Sequence, residues 1–69
     1  MDTADLENRF TYHTPKPGQG SRYATIRVRA LDLANLFNEF CPDSREKSLA
    51  ITHLEDAVMW ANASIARNE

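Results

Sequence analysis

The sequence predicts an all-α protein: a short N-terminal helix followed by an antiparallel helical hairpin that assembles with further copies of itself into a homo-oligomer. Three observations carry this. Two long stretches repeat apolar residues every three and four positions, a proline separates them, and no segment reads as a strand. The 69 residues allow one domain, 1–69. A chain this short buries only about 60% of the surface that its unfolded form exposes. Small folds make up that shortfall with disulfides, a metal or oligomerisation. Cys41 is the only cysteine, so no disulfide can form within the chain. His13 and His53 are far apart and neither belongs to a ligand-spaced cluster, so no metal or other cofactor is expected. Association with other copies is the remaining route.

The first helix is expected over residues 2–9, with Asp2 or Thr3 as its cap and acids in its first turn. Leu6 and Phe10, four apart, would pin it to an apolar surface. Thr11 to Gly20 reads as a loop, since Pro15, Pro17, Gly18 and Gly20 crowd its second half. Ser21 is the expected cap of the second helix, with Gly20 or Gln19 as alternative starts. Tyr23, Ile26, Ala30, Leu33, Phe37 and Phe40 form its seam, while Val28, Leu31 and Leu36 widen the apolar face. Cys41-Pro42 ends it. Asp43 is then expected to cap the third helix, with Glu46 completing a capping box. That helix should run to about Arg67 with Ile51, Leu54, Val58, Ala61 and Ile65 as its seam. Ala50, Ala57, Ala63 and Ala66 permit close helix approach, and Trp60 reads as an interface anchor.

The net charge of −2 conceals an asymmetry. Asn8 to Leu31 contains no Asp or Glu, yet holds Arg9, Lys16, Arg22, Arg27, Arg29 and His13. Such a stretch is either a solvated basic surface or a local anion site. Phe10 and Tyr12 place aromatic faces beside those cations. Nucleotides need both kinds of group, cations or N–H donors for phosphate and flat faces for bases. Tyr12 can equally pack the loop down. Arg67 near the end of the last helix is accounted for by the helix dipole alone.

Other classes are disfavoured. No general base is paired with a nucleophile, so an enzyme is not expected. The acidic balance disfavours binding to long nucleic acid. No apolar run approaches the ~18 residues of a membrane span. The acidic stretch Met1–Asp5 has no apolar core, so no export signal is expected and the cytoplasm is the expected compartment.

Two motifs carry a family resemblance. One is Cys41-Pro42-Asp43-Ser44-Arg45-Glu46-Lys47-Ser48-Leu49-Ala50, continuing through Leu54-Glu55 and the run from Ala57 to Asn68. The other is Asn8-Arg9-Phe10-Thr11-Tyr12-His13 with Pro15, Arg22-Tyr23 and Ile26-Arg27. Together they make the chain, over nearly its whole length, similar to the phage-encoded anti-CBASS sponges of cyclic oligonucleotides. The resemblance implies sequestration, without cleavage, of cyclic di- and trinucleotides such as cyclic GMP-AMP and cyclic tri-AMP in the bacterial host cytoplasm. It also implies a hexamer of hairpins. Cyclic dinucleotides would sit between paired subunits near Phe10, Tyr12, His13, Arg22, Arg27 and Arg29. There Tyr12 would stack on a base, and the family's phosphate-binding lysine would fall at Arg29 or Arg27. Cyclic trinucleotides would sit where three subunits meet, with Arg67. Val28 and Leu31 stand where relatives are expected to be polar, which implies a more buried helix. The competing reading is a small oligomerisation or protein-inhibitor module with no nucleotide ligand.

Overall fold

A computed structural model describes residues 2–69. Its helices are α1 (Thr3–Phe10), α2 (Gln19–Phe40) and α3 (Arg45–Asn68), and there is no strand among the described residues. α2 and α3 form the hairpin.

α1 starts after Asp2, whose backbone is extended and whose side chain makes no capping bond. Arg9 reaches back one turn to Asp5 at 3.5 Å. Leu6 and Phe10 do not pin the helix within one chain, because both are exposed. Polar contacts hold it instead. Asn8 donates through Nδ2 to the Arg67 carbonyl at 3.4 Å. His13 Nε2 lies 2.8 Å from the Asn8 carbonyl. A carbonyl only accepts, so Nε2 carries the hydrogen.

α2 begins two residues before Ser21, inside the run of prolines and glycines. Gly18 precedes it at φ 85°, a left-handed conformation that glycine adopts without a steric penalty. Gln19 closes the turn, its backbone N–H donating to the Lys16 carbonyl and its Oε1 accepting from the Lys16 N–H, each at 3.0 Å. Gln19 is the one buried residue described. Its amide caps the turn from the side chain, so Ser21 is not needed as a cap and instead donates to the Gly18 carbonyl.

At the hairpin turn the cap is Ser44, not Asp43. Ser44 Oγ accepts from the Lys47 N–H at 3.1 Å, and the Ser44 backbone is extended as a cap requires. Asp43 takes the Lys47 ammonium at 2.9 Å, which draws it away from the helix end. Glu46 therefore sits one position too early for a capping box, though its charge still faces the helix N-terminus.

Tyr23, Ile26, Ala30 and Phe37 are half-buried, as are Ile51, Leu54, Val58, Ala61 and Ile65. Phe40 is not part of the seam: it is 72% exposed, and Leu33 is exposed too. Ala34 and Cys41 are half-buried in their place. Spacings of 3 and 4 average 3.5 residues, and a straight helix drifts by about 20° per heptad against such a repeat. The buried stripe follows 26, 30, 34, 37 and 41 instead.

The chain measures 45 × 30 × 13 Å. Its smallest dimension is close to the diameter of one helix, about 10–12 Å. A single layer has no interior, and no apolar residue among those described is fully buried.

Candidate nucleotide-binding cleft

The end of α1, the following loop and the last turns of α3 enclose an open cleft of about 410 Å³. Arg9, Thr11, Tyr12 and His13 line it from the N-terminal side, and Tyr23 from α2. α3 contributes Asn62, Ala63, Ala66 and Arg67. On this helix 62 and 66, and 63 and 67, are four apart and share a face. The two alanines keep that face low, and Asn62 and Arg67 project around them.

The cleft combines three chemistries. Tyr12 is 82% exposed and presents a ring face. Arg9 and Arg67 supply guanidinium groups. Arg9 is shared with Asp5, whereas Arg67 has no acidic partner among the described residues. Asn62 Oδ1 is buried without a hydrogen-bond partner among them. A buried acceptor left unpaired costs roughly 1–3 kcal/mol. The aromatic face and the guanidinium groups suit a small planar anion.

The sequence-predicted residues divide among several surfaces. Tyr12, His13 and Arg67 share the cleft, although the first two and the last were expected at different ligands. Phe10 lies in an adjoining recess with Arg9, Trp60 and Arg67. Arg22 is held by Glu69 in a two-pronged ion pair, with Nη1 2.7 Å from Oε2. Gln19 Nε2 donates to the same carboxylate at 3.2 Å. The Arg22 bond first and the Gln19 bond second lower the Glu69 carboxyl to about 2, and the bond to Glu69 raises the Arg22 guanidinium. Arg27 borders an apolar groove between α2 and α3 with Leu31, Glu55 and Met59. Arg29 lies beside Ala24, Thr25 and Val28. Val28 and Leu31 are both exposed in the single chain.

Arg9, Thr11, Tyr23, Asn62, Ala63 and Ala66 are the cleft residues that sequence reasoning did not assign to a site. Arg9 was visible in the acid-free stretch next to Phe10 and Tyr12. Asn62 left no signal, because nothing in a helical repeat tells which polar residue will lose its water.

The sequence model of the Acb2/Tad1 hairpin domain matches residues 2–66. The match covers α1, α2 and α3 as far as Ala66, and with them every cleft residue except Arg67, which lies one position beyond it. No curated protein and no solved structure matches the chain.

Proposed function

The chain belongs to the Acb2/Tad1 hairpin family, the anti-CBASS sponges of cyclic oligonucleotides, and from that membership we propose that it sequesters cyclic di- and trinucleotide second messengers and returns them chemically intact. The observation that carries the reading is the cleft itself: an exposed Tyr12 ring and two guanidinium groups around one opening. Stacking one base on an aromatic ring contributes about 1–3 kcal/mol. A charge-assisted hydrogen bond to phosphate contributes about 1.5–3 kcal/mol. Two contacts of each kind sum to about 5–12 kcal/mol, a range that spans the roughly 8 kcal/mol of a 1 μM complex. Tight binding with slow release serves a sponge, which has no transition state to favour.

The assignment of residues to ligands follows the family. Tyr12 stacks on a base of the cyclic dinucleotide, with Phe10 and His13 beside it. Arg29 or Arg27 meets its phosphate, and Arg67 serves the cyclic trinucleotide. Arg27 and Arg29 lie on surfaces away from Tyr12 in one chain. They reach the same ligand when a second copy presents its α2 to the cleft. That geometry, together with the uncovered apolar faces, supports a composite site in a hexamer. Arg22 joins it only when it releases Glu69.

Native mass spectrometry with a panel of cyclic di- and trinucleotides tests the reading. The expected spectrum shows an oligomer with whole-number ligand occupancy and ligands of unchanged mass after denaturation. Hydrolysed or linearised nucleotide, produced in proportion to protein, refutes sequestration. Failure of every cyclic nucleotide to bind or to raise the melting temperature favours an oligomerisation or protein-inhibitor module.

A further inference from the structure

Lys16, Gln19 and Arg22, at and just before the start of α2, all bond to Glu69, which follows α3. Arg22 holds the carboxylate with both arms, Nη1 2.7 Å from Oε2 and Nη2 on Oε1. Gln19 Nε2 donates to Oε1 at 3.2 Å, and the Lys16 ammonium donates to the Glu69 backbone oxygen. Among the described residues Glu69 is the one acid paired with Arg22, and α2 carries no acid in its first turn. A guanidinium fork of this kind fits carboxylate and phosphate alike. The Glu69 carboxylate therefore takes the arms that Arg22 would offer to a phosphate.

Two observations make the contact exchangeable. The Arg22 and Glu69 side chains are 49% and 40% exposed, so solvent and ligand reach both. A pair this open is weak and is screened by salt. The start of α2 is also held without it. Gln19 is tied separately to the Lys16 N–H and carbonyl and to the Ile65 carbonyl at 3.5 Å, so the turn stands when Glu69 leaves.

We propose that Glu69 is a built-in competitor of the ligand phosphate, holding Arg22 in the free protein and yielding it when a cyclic dinucleotide binds. This rests on the sponge reading and adds the residue that sets the strength and selectivity of its dinucleotide site. Apparent affinity is reduced to the fraction of molecules in which Arg22 is free. A cyclic trinucleotide at Arg67 does not use Arg22 and meets no such competition.

The intact protein and its variants are titrated by calorimetry with cyclic GMP-AMP and cyclic tri-AMP, with sedimentation checked for each. Glu69→Gln should tighten cyclic GMP-AMP by up to about 5-fold. Glu69→Ala should do the same, and neither should change cyclic tri-AMP. The salt dependence for cyclic GMP-AMP should steepen in both variants, because the wild type exchanges one ion pair for another while the variants form a new one. In an Arg22→Ala background Glu69→Gln should bring no gain. A Glu69 that only braced the fold would give weaker binding on substitution, never tighter. Unchanged or weaker cyclic GMP-AMP binding in both variants overturns the competition and leaves the sponge reading standing. An equal gain for cyclic tri-AMP, or a gain that persists without Arg22, overturns it too, since either is a general effect of lost negative charge. Absence of heat from both ligands, in wild type and variants alike, defeats the sponge reading and the competition with it.

Discussion

Tyr12 and Arg67 make the sharpest contrast among single residues, because one chain brings them to the same cleft while the family's two ligand classes would separate them. Tyr12 is exposed, so removing it should cost folding little. Tyr12→Ala should weaken cyclic-dinucleotide binding by about 1–3 kcal/mol. Arg29→Ala should cost about 1.5–3 kcal/mol on the same ligand and flatten its salt dependence. Arg67→Ala should act on the cyclic trinucleotide instead. Calorimetry of the three variants with both ligands, each checked for oligomeric state, decides the matter. If Tyr12→Ala and Arg67→Ala weaken both ligands equally in an intact assembly, the shared cleft is a single site. Glu69 makes a different residue-scale prediction. Its carboxyl is lowered from 4.5 to about 2 by Arg22 and then Gln19. A lowered carboxyl stabilises the fold fully above its unfolded value and loses that contribution as pH falls through the folded one. Glu69→Gln should therefore melt below the wild type at neutral pH. The gap should shrink below about pH 4.5 and close near pH 2. A gap that is constant with pH would show that the ion pair does not stabilise the fold.

The termini of the helices show why local sequence signals place an element well and its boundaries less well. Asp43 and Ser44 are adjacent and both are good caps. The choice between them falls to Lys47, whose ammonium reaches Asp43 and also the Asn38 carbonyl at 3.0 Å across the turn. Ser44→Ala should cost about 1 kcal/mol in urea denaturation at fixed protein concentration. Asp43→Ala should cost less, since its bond with Lys47 is at the surface. The opposite order would return the cap to Asp43. At α2 the same competition runs between Ser21 and the Gly18–Gln19 turn. Gln19 prevails because its side chain bonds the loop and also Glu69 at the far end of α3.

At the scale of the molecule, a plate one helix thick leaves Val28, Leu31, Leu36, Met59 and Trp60 uncovered. Apolar area on this scale calls for a partner surface. The expected result is an oligomer without a stable folded monomer, whose melting temperature rises with protein concentration. Sedimentation at micromolar concentration checks it, and a folded monomer there would contradict it. The same thinness bears on the site, since within one chain Arg27 and Arg29 line surfaces other than the cleft that holds Tyr12.

The amino-acid sequence by itself determined the helices, the break at Pro42, the seam through Ile26 and Ala30 and its counterpart on α3, and the gathering of cations beside Phe10 and Tyr12. Each of these is written in neighbours a few residues apart, where periodicity and turn chemistry act directly. It also carried the motifs that mark the family. Only the tertiary structure decided that Arg67 meets Tyr12, that Asn62 Oδ1 loses its partner, and that Arg22 is taken by Glu69. It likewise decided that Phe40 leaves the seam. The first three depend on where the end of α3 meets the loop and the first turn of α2, more than forty residues earlier, contacts that packing sets and no local pattern encodes. The last depends on the slow drift between a 3.5-residue repeat and a straight helix, which grows along α2 until the stripe and the repeat no longer coincide.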